Sequence, residues 1–226
     1  MATPLDLQEQ EQLDDIKAFW KQYGNLITWT VTLVLAGFAA FNGWNWWQRE
    51  QAVKAGALYE ELERAALAND VGRTTQALGD LKERHPKTLQ AQQGALLAAR
   101  VQAEQGRVDD ALATLGWLAA NGGEAEYRVI ARLRAAGLLM DKKELDKALA
   151  ELDAAAGAKL AEFDALVADR RGDVLLAQGK KVEAVAAYQA AYKAMDPKVE
   201  YRVLVDAKLT ALGAAPAASA ATSSKP

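Results

Sequence analysis

The sequence contains no cysteine, a single histidine and only five prolines in 226 residues. Without cysteine there can be no disulfide framework, no thiolate metal site and no cysteine nucleophile. One histidine leaves little room for a zinc site or for a serine hydrolase that needs a histidine base. Because proline and β-branched residues are sparse beside alanine and leucine, we expect an all-α protein.

An excess of charge of one sign is also lacking. The 27 lysines and arginines offset 30 aspartates and glutamates, for a net charge of -3. A nucleic-acid partner requires a dense basic face, so we expect none. The sequence also contains neither a P-loop nor a G-x-G-x-x-G motif, and we expect no cofactor and no small-molecule substrate.

One long apolar run stands out against this background. No charged residue occurs in residues 26–47, LITWTVTLVLAGFAAFNGWNWW. At the helical rise these residues span roughly 33 Å, enough to cross a hydrocarbon core of about 30 Å. The run therefore predicts a transmembrane helix in contact with a lipid bilayer. The alternative is the buried core helix of a soluble domain.

Aromatic residues cluster at both ends of the predicted span, which is the pattern of the aromatic belts at membrane surfaces. The predicted membrane-interface residues are Trp20, Tyr23 and Trp29 at one end and Trp44, Trp46 and Trp47 at the other.

An acidic leader, residues 1–25, precedes the span. A secretory signal peptide starts with a short basic stretch, so we interpret the span as an uncleaved anchor. Apolar residues at helical spacing predict an amphipathic helix over residues 5–23, which Gly24-Asn25 would separate from the span. Lysines and arginines stand on both sides of the span, so their count leaves its orientation open.

The rest of the chain is repetitive. Small and large residues recur at fixed offsets around alanines spaced 34, 37 and 36 residues apart, and a glycine or Lys143 stands five residues before each alanine. This period predicts helix–turn–helix units stacked as an α-solenoid, with an ordinary helical bundle as the alternative. Gly72 takes the turn position of the first unit, and Leu81 its large position. The predicted packing residues are Ala65, Ala77, Ala99, Gly106, Ala111, Ala136, Ala148, Gly172, Gly179, Ala184 and Tyr188.

These patterns divide the chain into five parts. A juxtamembrane connector, residues 48–57, follows the span, and residues 58–212 hold four degenerate repeats with a capping helix over residues 199–212. The alanine- and serine-rich residues 213–226 cannot bury a core, so we expect them to be disordered.

Candidate chemistry is thin. His85 precedes Pro86, and we interpret it as a surface residue that ends a helix, where a protonated imidazole meets the negative end of the helix dipole. Adjacent acidic pairs such as Asp109-Asp110 point to different sides of a helix and cannot share a proton. We expect no catalytic residue and no metal ligand.

The densest charge cluster is Asp169-Arg170-Arg171-Gly172-Asp173. Its arginines could clamp a carboxylate of a partner, but a mosaic of surface charges is the simpler interpretation.

The last repeat reads ALVADRRGDVLLAQGKKVEAVAAYQAAYKAMDP and resembles the tetratricopeptide repeat. Together with DIKAFW and YGN in the leader and Gly43-Trp44 in the span, the stretch VADRRGD is similar to the ancillary SecYEG translocon subunit family, the YfgM-like membrane proteins.

That resemblance implies a single-pass protein of the bacterial inner membrane with a cytoplasmic N-terminus and a periplasmic repeat domain. It also implies two partners, the SecYEG translocon and a membrane-anchored periplasmic prolyl-isomerase chaperone. The function that follows is a non-enzymatic adaptor. The alternative is a membrane-anchored scaffold that faces the cytosol or serves envelope assembly or division.

Overall fold

A computed structural model describes residues 7–215, and within that range the chain is all-α, as the composition predicts. The helices are α1 (Leu7–Leu67), α2 (Val71–Arg84), α3 (Leu89–Glu104), α4 (Val108–Asn121), α5 (Ala125–Asp141), α6 (Leu145–Ala156), α7 (Ala161–Ala177), α8 (Lys181–Ala194) and α9 (Tyr201–Ala211).

The chain divides into two units, the first ending at Gln51 and the second beginning at Ala52. The first unit is helical from Leu7 onwards, and the predicted separation at Gly24-Asn25 is wrong because α1 passes through both residues. A glycine inside a helix costs only about 1 kcal/mol. At this position the ring of Trp20 also lies over the glycine, 3.2 Å from where a Cβ would stand.

The second unit is built from paired helices. The part of α1 after Gln51 pairs with α2, and the pairs α3–α4, α5–α6 and α7–α8 follow. Within each pair, the first helix ends on a residue in the left-handed region: Asn69, Gly106, Lys143 and Gly179.

The four turns share one hydrogen-bond pattern. The N–H of the residue after the left-handed residue donates to the carbonyl five positions earlier, at 2.8–3.0 Å. This is the Schellman arrangement, which satisfies carbonyls that a helix end otherwise leaves without partners. The left-handed residues are 37, 37 and 36 positions apart, so the structure repeats with that period.

The predicted turn of the first repeat is wrong by three residues. Gly72 lies inside α2, and the turn residue is Asn69, with φ 54°. Asparagine also tolerates the left-handed region, so a search for a turn glycine misses it. The residue five positions after the turn is then Thr74, and the large residue four further on is Leu78; both are buried.

The core consists mainly of alanine and leucine, in three clusters along the second unit. Helix α7 packs closely onto α8 at Gly172. A Cβ added there would lie 2.5 Å from Cε1 of Tyr188, which is itself fully buried. The bulk of the tyrosine therefore requires the absence of a side chain opposite it.

Helix α9 ends in the same way as the first helix of each pair. Gly213 has φ 76°, and the N–H of Ala214 donates to the carbonyl of Leu209 at 2.9 Å. The helix buries Val205 and Leu209 against the last pair. Helix α9 thus takes the position of the first helix of a further repeat. Of the predicted disordered tail, residues 216–226 lie outside the described residues.

Lys143 is the turn residue whose substitution should raise stability. A lysine at φ 65° carries a steric cost of about 1 kcal/mol that glycine does not. We expect Lys143→Gly to raise the free energy of unfolding by about that amount, and Gly179→Ala to lower it similarly. Denaturant titration of the detergent-solubilised chain, followed by helical circular dichroism, measures both. If both substitutions changed the free energy of unfolding by the same amount in the same direction, the assignment of Lys143 and Gly179 as equivalent left-handed turn residues would be contradicted.

Candidate functional site

The first helices of the second, third and fourth pairs form a groove. Two adjoining clefts of about 380 Å³ and about 350 Å³ lie along α5, one shared with α7 and the other with α3. Both are lined by Arg134, Gly137 and Asp141 of α5. We call this surface the α3–α5–α7 groove; no sequence pattern predicted it.

The part of the groove between α5 and α7 is mostly apolar. Leu133 and Met140 line one side, and Phe163 and Leu166 line the other; all four are half-buried. Gly137 lies between the two clefts, and a Cβ added to it would meet no atom within 4 Å. The missing side chain therefore keeps the groove open at its middle.

Arg134 supplies the charge. Its Nη1 donates to the carbonyl of Leu96 on α3 at 3.2 Å, which fixes the side chain across the groove. Partial burial and the charge of the neighbouring Arg100 lower the pKa of its guanidinium. Because the pKa of an arginine is ordinarily far above 7, the group still stays charged at neutral pH. Among residues 7–215 no carboxylate forms an ion pair with Arg134.

The other arginines of the groove are paired with carboxylates on their own helices. Arg100 lies 3.4 Å from Glu104, and Arg170 lies 3.5 Å from Asp173. Among the described residues, the groove thus combines apolar side chains with one guanidinium that no carboxylate pairs with. In the part of the chain that the structure describes, no group of histidines, aspartates and glutamates is placed to hold a metal ion.

The predicted surface mosaic is wrong for its two aspartates. Asp169 is completely buried and accepts hydrogen bonds from the Tyr201 hydroxyl at 2.7 Å and from Lys208 Nζ at 2.8 Å. Asp173 accepts from the Tyr188 hydroxyl at 2.8 Å and from the same Nζ at 2.6 Å. These five residues, the Asp169–Lys208 cluster, join α7, α8 and α9.

No sequence pattern predicted this cluster, because its members lie on helices that are distant in the sequence. The available signal was that Lys208 lies beside Leu209 on the apolar side of α9.

Burial, followed by the hydrogen bond to Asp169, raises the pKa of Tyr201 to about 12. Burial and the bond to Asp173 raise the pKa of Tyr188 as well. Both tyrosines therefore remain neutral donors at physiological pH.

The neighbouring arginines both lie beside carboxylates of this chain. Arg170 pairs with Asp173, and Arg171 pairs with Asp153 of α6. Both guanidinium groups are therefore engaged within the chain.

His85 is buried, so its interpretation as a surface residue is wrong. Its backbone N–H donates to the carbonyl of Leu81 at 2.9 Å and closes the end of α2, as expected of a residue that ends a helix. Burial lowers the pKa of its imidazole, and the charges of Lys54 and Arg84 lower it further. The neutral imidazole is thus favoured, and a favourable charge–dipole contact is not the reason for its place.

The residues predicted at membrane interfaces are all exposed: Trp20, Tyr23, Trp29, Trp44, Trp46 and Trp47. The apolar side chains between the two groups are exposed too, and this part of α1 is long and apolar enough to cross a membrane. Its threonine hydroxyls donate to carbonyls of their own helix at 2.7–2.8 Å. Contact of the aromatic rings with a membrane surface stays a prediction.

The predicted packing residues fall into two groups. Gly106 and Gly179 are exposed turn residues with φ 77°. The buried ones are Ala65, Ala77, Ala99, Ala111, Ala136, Ala148, Gly172, Ala184 and Tyr188. Their role in holding neighbouring repeats together stays a prediction.

Known proteins match this chain across both of its units. Residues 17–214 match the tetratricopeptide repeat-like domain family. A Neisseria gonorrhoeae protein named "Ancillary SecYEG translocon subunit" is 30% identical over 210 residues, 91% of this chain and 98% of that protein. Proteins of the same name from Escherichia coli and Haemophilus influenzae are 27% and 24% identical. Each of these two matches covers 82% of this chain, and they cover 87% and 89% of the relatives.

The Asp169–Lys208 cluster predicts a large effect of one isosteric substitution. Asp169→Asn leaves buried donors without their acceptor charge, and we expect a loss of about 3 kcal/mol in the free energy of unfolding. Asp164→Asn, on an exposed position of the same helix, should change it by less than about 0.5 kcal/mol. Denaturant titrations of both variants measure the difference. If Asp169→Asn unfolded like its control, the cluster would not hold α9 in place.

Proposed function

Because the chain belongs to the tetratricopeptide repeat-like family and to the ancillary SecYEG translocon subunits, we propose that it is a non-enzymatic, membrane-anchored adaptor of the protein-export translocon. The observation that carries the proposal is the extent of the match to relatives bearing that name. It takes in the apolar segment of α1 as well as the repeats, so both parts of the chain have counterparts in the Neisseria gonorrhoeae relative.

Residues 26–47 form the anchor in this proposal. They cross the inner membrane once, with the N-terminal leader in the cytoplasm and the repeat domain in the periplasm. The absence of cysteine is compatible with the oxidising periplasm, since stacked helices rather than disulfides hold the domain together.

The repeat domain supplies contacts rather than chemistry. The proposed partners are the SecYEG channel and a membrane-anchored prolyl-isomerase chaperone of the periplasm. The α3–α5–α7 groove supports this role, because it is open, mostly apolar and lined by an uncompensated charge. An adaptor of this kind keeps a chaperone beside the channel from which unfolded chains emerge.

Co-purification tests the association. The full chain, affinity-tagged and extracted in mild detergent, should retain SecY and the chaperone. A chimera that keeps the anchor but carries an unrelated soluble domain of similar size is the matched control. Quantitative immunoblotting measures retention of both partners. Retention of SecY without the chaperone would remove the bridging role, and loss of SecY would overturn the proposal.

Labelling of introduced cysteines tests the orientation. Because the chain has no cysteine of its own, Lys21→Cys and Glu183→Cys each create a unique thiol on an exposed position. A membrane-impermeant maleimide applied to spheroplasts should label Glu183→Cys and spare Lys21→Cys until the membrane is lysed. The reverse pattern would favour a scaffold that faces the cytosol.

A further inference from the structure

We propose that helix α9 is a self-association surface, whose outer face packs antiparallel against the same face of a second copy of this chain. The outer α9 face consists of the exposed residues of the helix: Val203, Leu204, Ala207, Thr210 and Ala211. The inference goes beyond the proposed function, since it uses the membrane anchor but does not require the translocon.

The outer α9 face differs from the rest of the repeat domain in its charge. Each of helices α2 to α8 has at least one charged residue at an exposed position, whereas every exposed residue of α9 is uncharged. The charged residues of α9 are Arg202, Asp206 and Lys208, and all three are half-buried. The guanidinium of Arg202 lies over the ring of Tyr192 at 4.0 Å, and Lys208 is held in the Asp169–Lys208 cluster.

Helix α9 is also apolar on two opposite sides. Val205 and Leu209 are buried against the last pair, while Val203 and Leu204 on the outer side are 72% and 47% exposed. A helix that is apolar around most of its surface is typically covered on more than one side. Covering the outer α9 face removes apolar surface from water and buries no charge, so contact with an uncharged protein surface is favourable.

The outer α9 face is complementary to itself. Its large residues, Val203 and Leu204, lie in the first turn, and the smaller Ala207, Thr210 and Ala211 follow towards the C-terminal end. When two copies pack antiparallel, the large residues of each helix lie over small residues of the other. A parallel pair would crowd the large residues at one end and leave a gap at the other. The antiparallel pair has the two-fold symmetry that is commonest among oligomers.

Charge favours the same arrangement and the same occupant. Two neutral faces bring no like charges together. In the antiparallel pair, the positive end of each helix dipole also lies beside the negative end of the other. A second copy thus satisfies both the shape and the charge of the outer α9 face.

The contact between two α9 helices is small. Helix α9 has 11 residues and is about 16 Å long, too short to bury the roughly 1,200 Å² at the lower limit of stable interfaces. We therefore expect the repeat domains to associate weakly by themselves. Anchoring both copies in one bilayer raises their local concentration, which makes a weak contact sufficient.

Energy transfer between copies of the full chain in liposomes of zwitterionic lipid tests the inference. Because the chain has no cysteine, Glu200→Cys gives a unique thiol at an exposed residue directly before α9. One batch carries a donor dye and another an acceptor dye, and the two are reconstituted together at increasing ratios of lipid to protein. We expect transfer well above the level that random proximity in the bilayer gives.

Charged variants identify the occupant. Ala207→Glu and Ala207→Lys each place like charges face to face, so each should weaken the association by at least about tenfold. A mixture of the two variants should regain the transfer, because the facing charges are then opposite. Residue 207 is exposed, so both variants should fold, which circular dichroism checks. Ala113→Glu, at an exposed position of α4, is the matched control and should leave the transfer unchanged.

Disulfide formation tests the direction of packing. In liposomes under mild oxidation, copies with Val203→Cys should cross-link to copies with Ala211→Cys faster than either cross-links to itself. Faster cross-linking within each variant would contradict the antiparallel arrangement.

Transfer no higher than random proximity gives would overturn the inference, and this is the result expected if residues 216–226 or lipid cover the outer α9 face. Transfer that both Ala207 variants keep would overturn it too. If the variants lose transfer and their mixture does not regain it, the face does not bind a second copy. Retention of SecY in the co-purification is a separate result. Self-association without SecY leaves this inference in place, and SecY without self-association leaves the adaptor.

Discussion

The repeat domain depends on one backbone constraint, the left-handed residue that ends the first helix of each pair. Two hydrogen bonds close every such turn, and the second helix starts two residues later in all four pairs. The direction in which the second helix leaves is thus determined by the local backbone geometry of the turn. Because the turns recur at nearly constant spacing, the first helices line up, and their alignment creates the α3–α5–α7 groove.

Features that depend on residues close together in the chain could be predicted from the sequence, whereas features that depend on distant residues could not. The all-α class, the apolar segment and the helical period follow from residues close together in the chain. The predicted turn of the first repeat was wrong because Asn69, and not a glycine, occupies the left-handed position there. The burial of Asp169 could not be predicted, since its two donors lie 32 and 39 residues away on α9. Arg134 became notable only when three separate helices were placed side by side.

Charged side chains have two different uses in this domain. Some are buried and hydrogen-bonded, as in the Asp169–Lys208 cluster, where removal of water from the charges makes correct pairing necessary. This makes the docking of α9 specific. Arg134, by contrast, faces an open groove, and among residues 7–215 it donates to a backbone carbonyl and pairs with no carboxylate. A near-neutral chain can therefore still present a local positive charge in its groove, because that charge depends on one side chain and not on the net charge.

The threonine hydroxyls of α1 are satisfied by their own helix, and this has a consequence for the proposed anchor. Thr28, Thr30 and Thr32 each donate to the carbonyl four residues earlier, so their hydroxyls require neither a neighbouring helix nor water inside the hydrocarbon. These three hydroxyls therefore add no polar penalty to the proposed anchor that a companion helix must relieve.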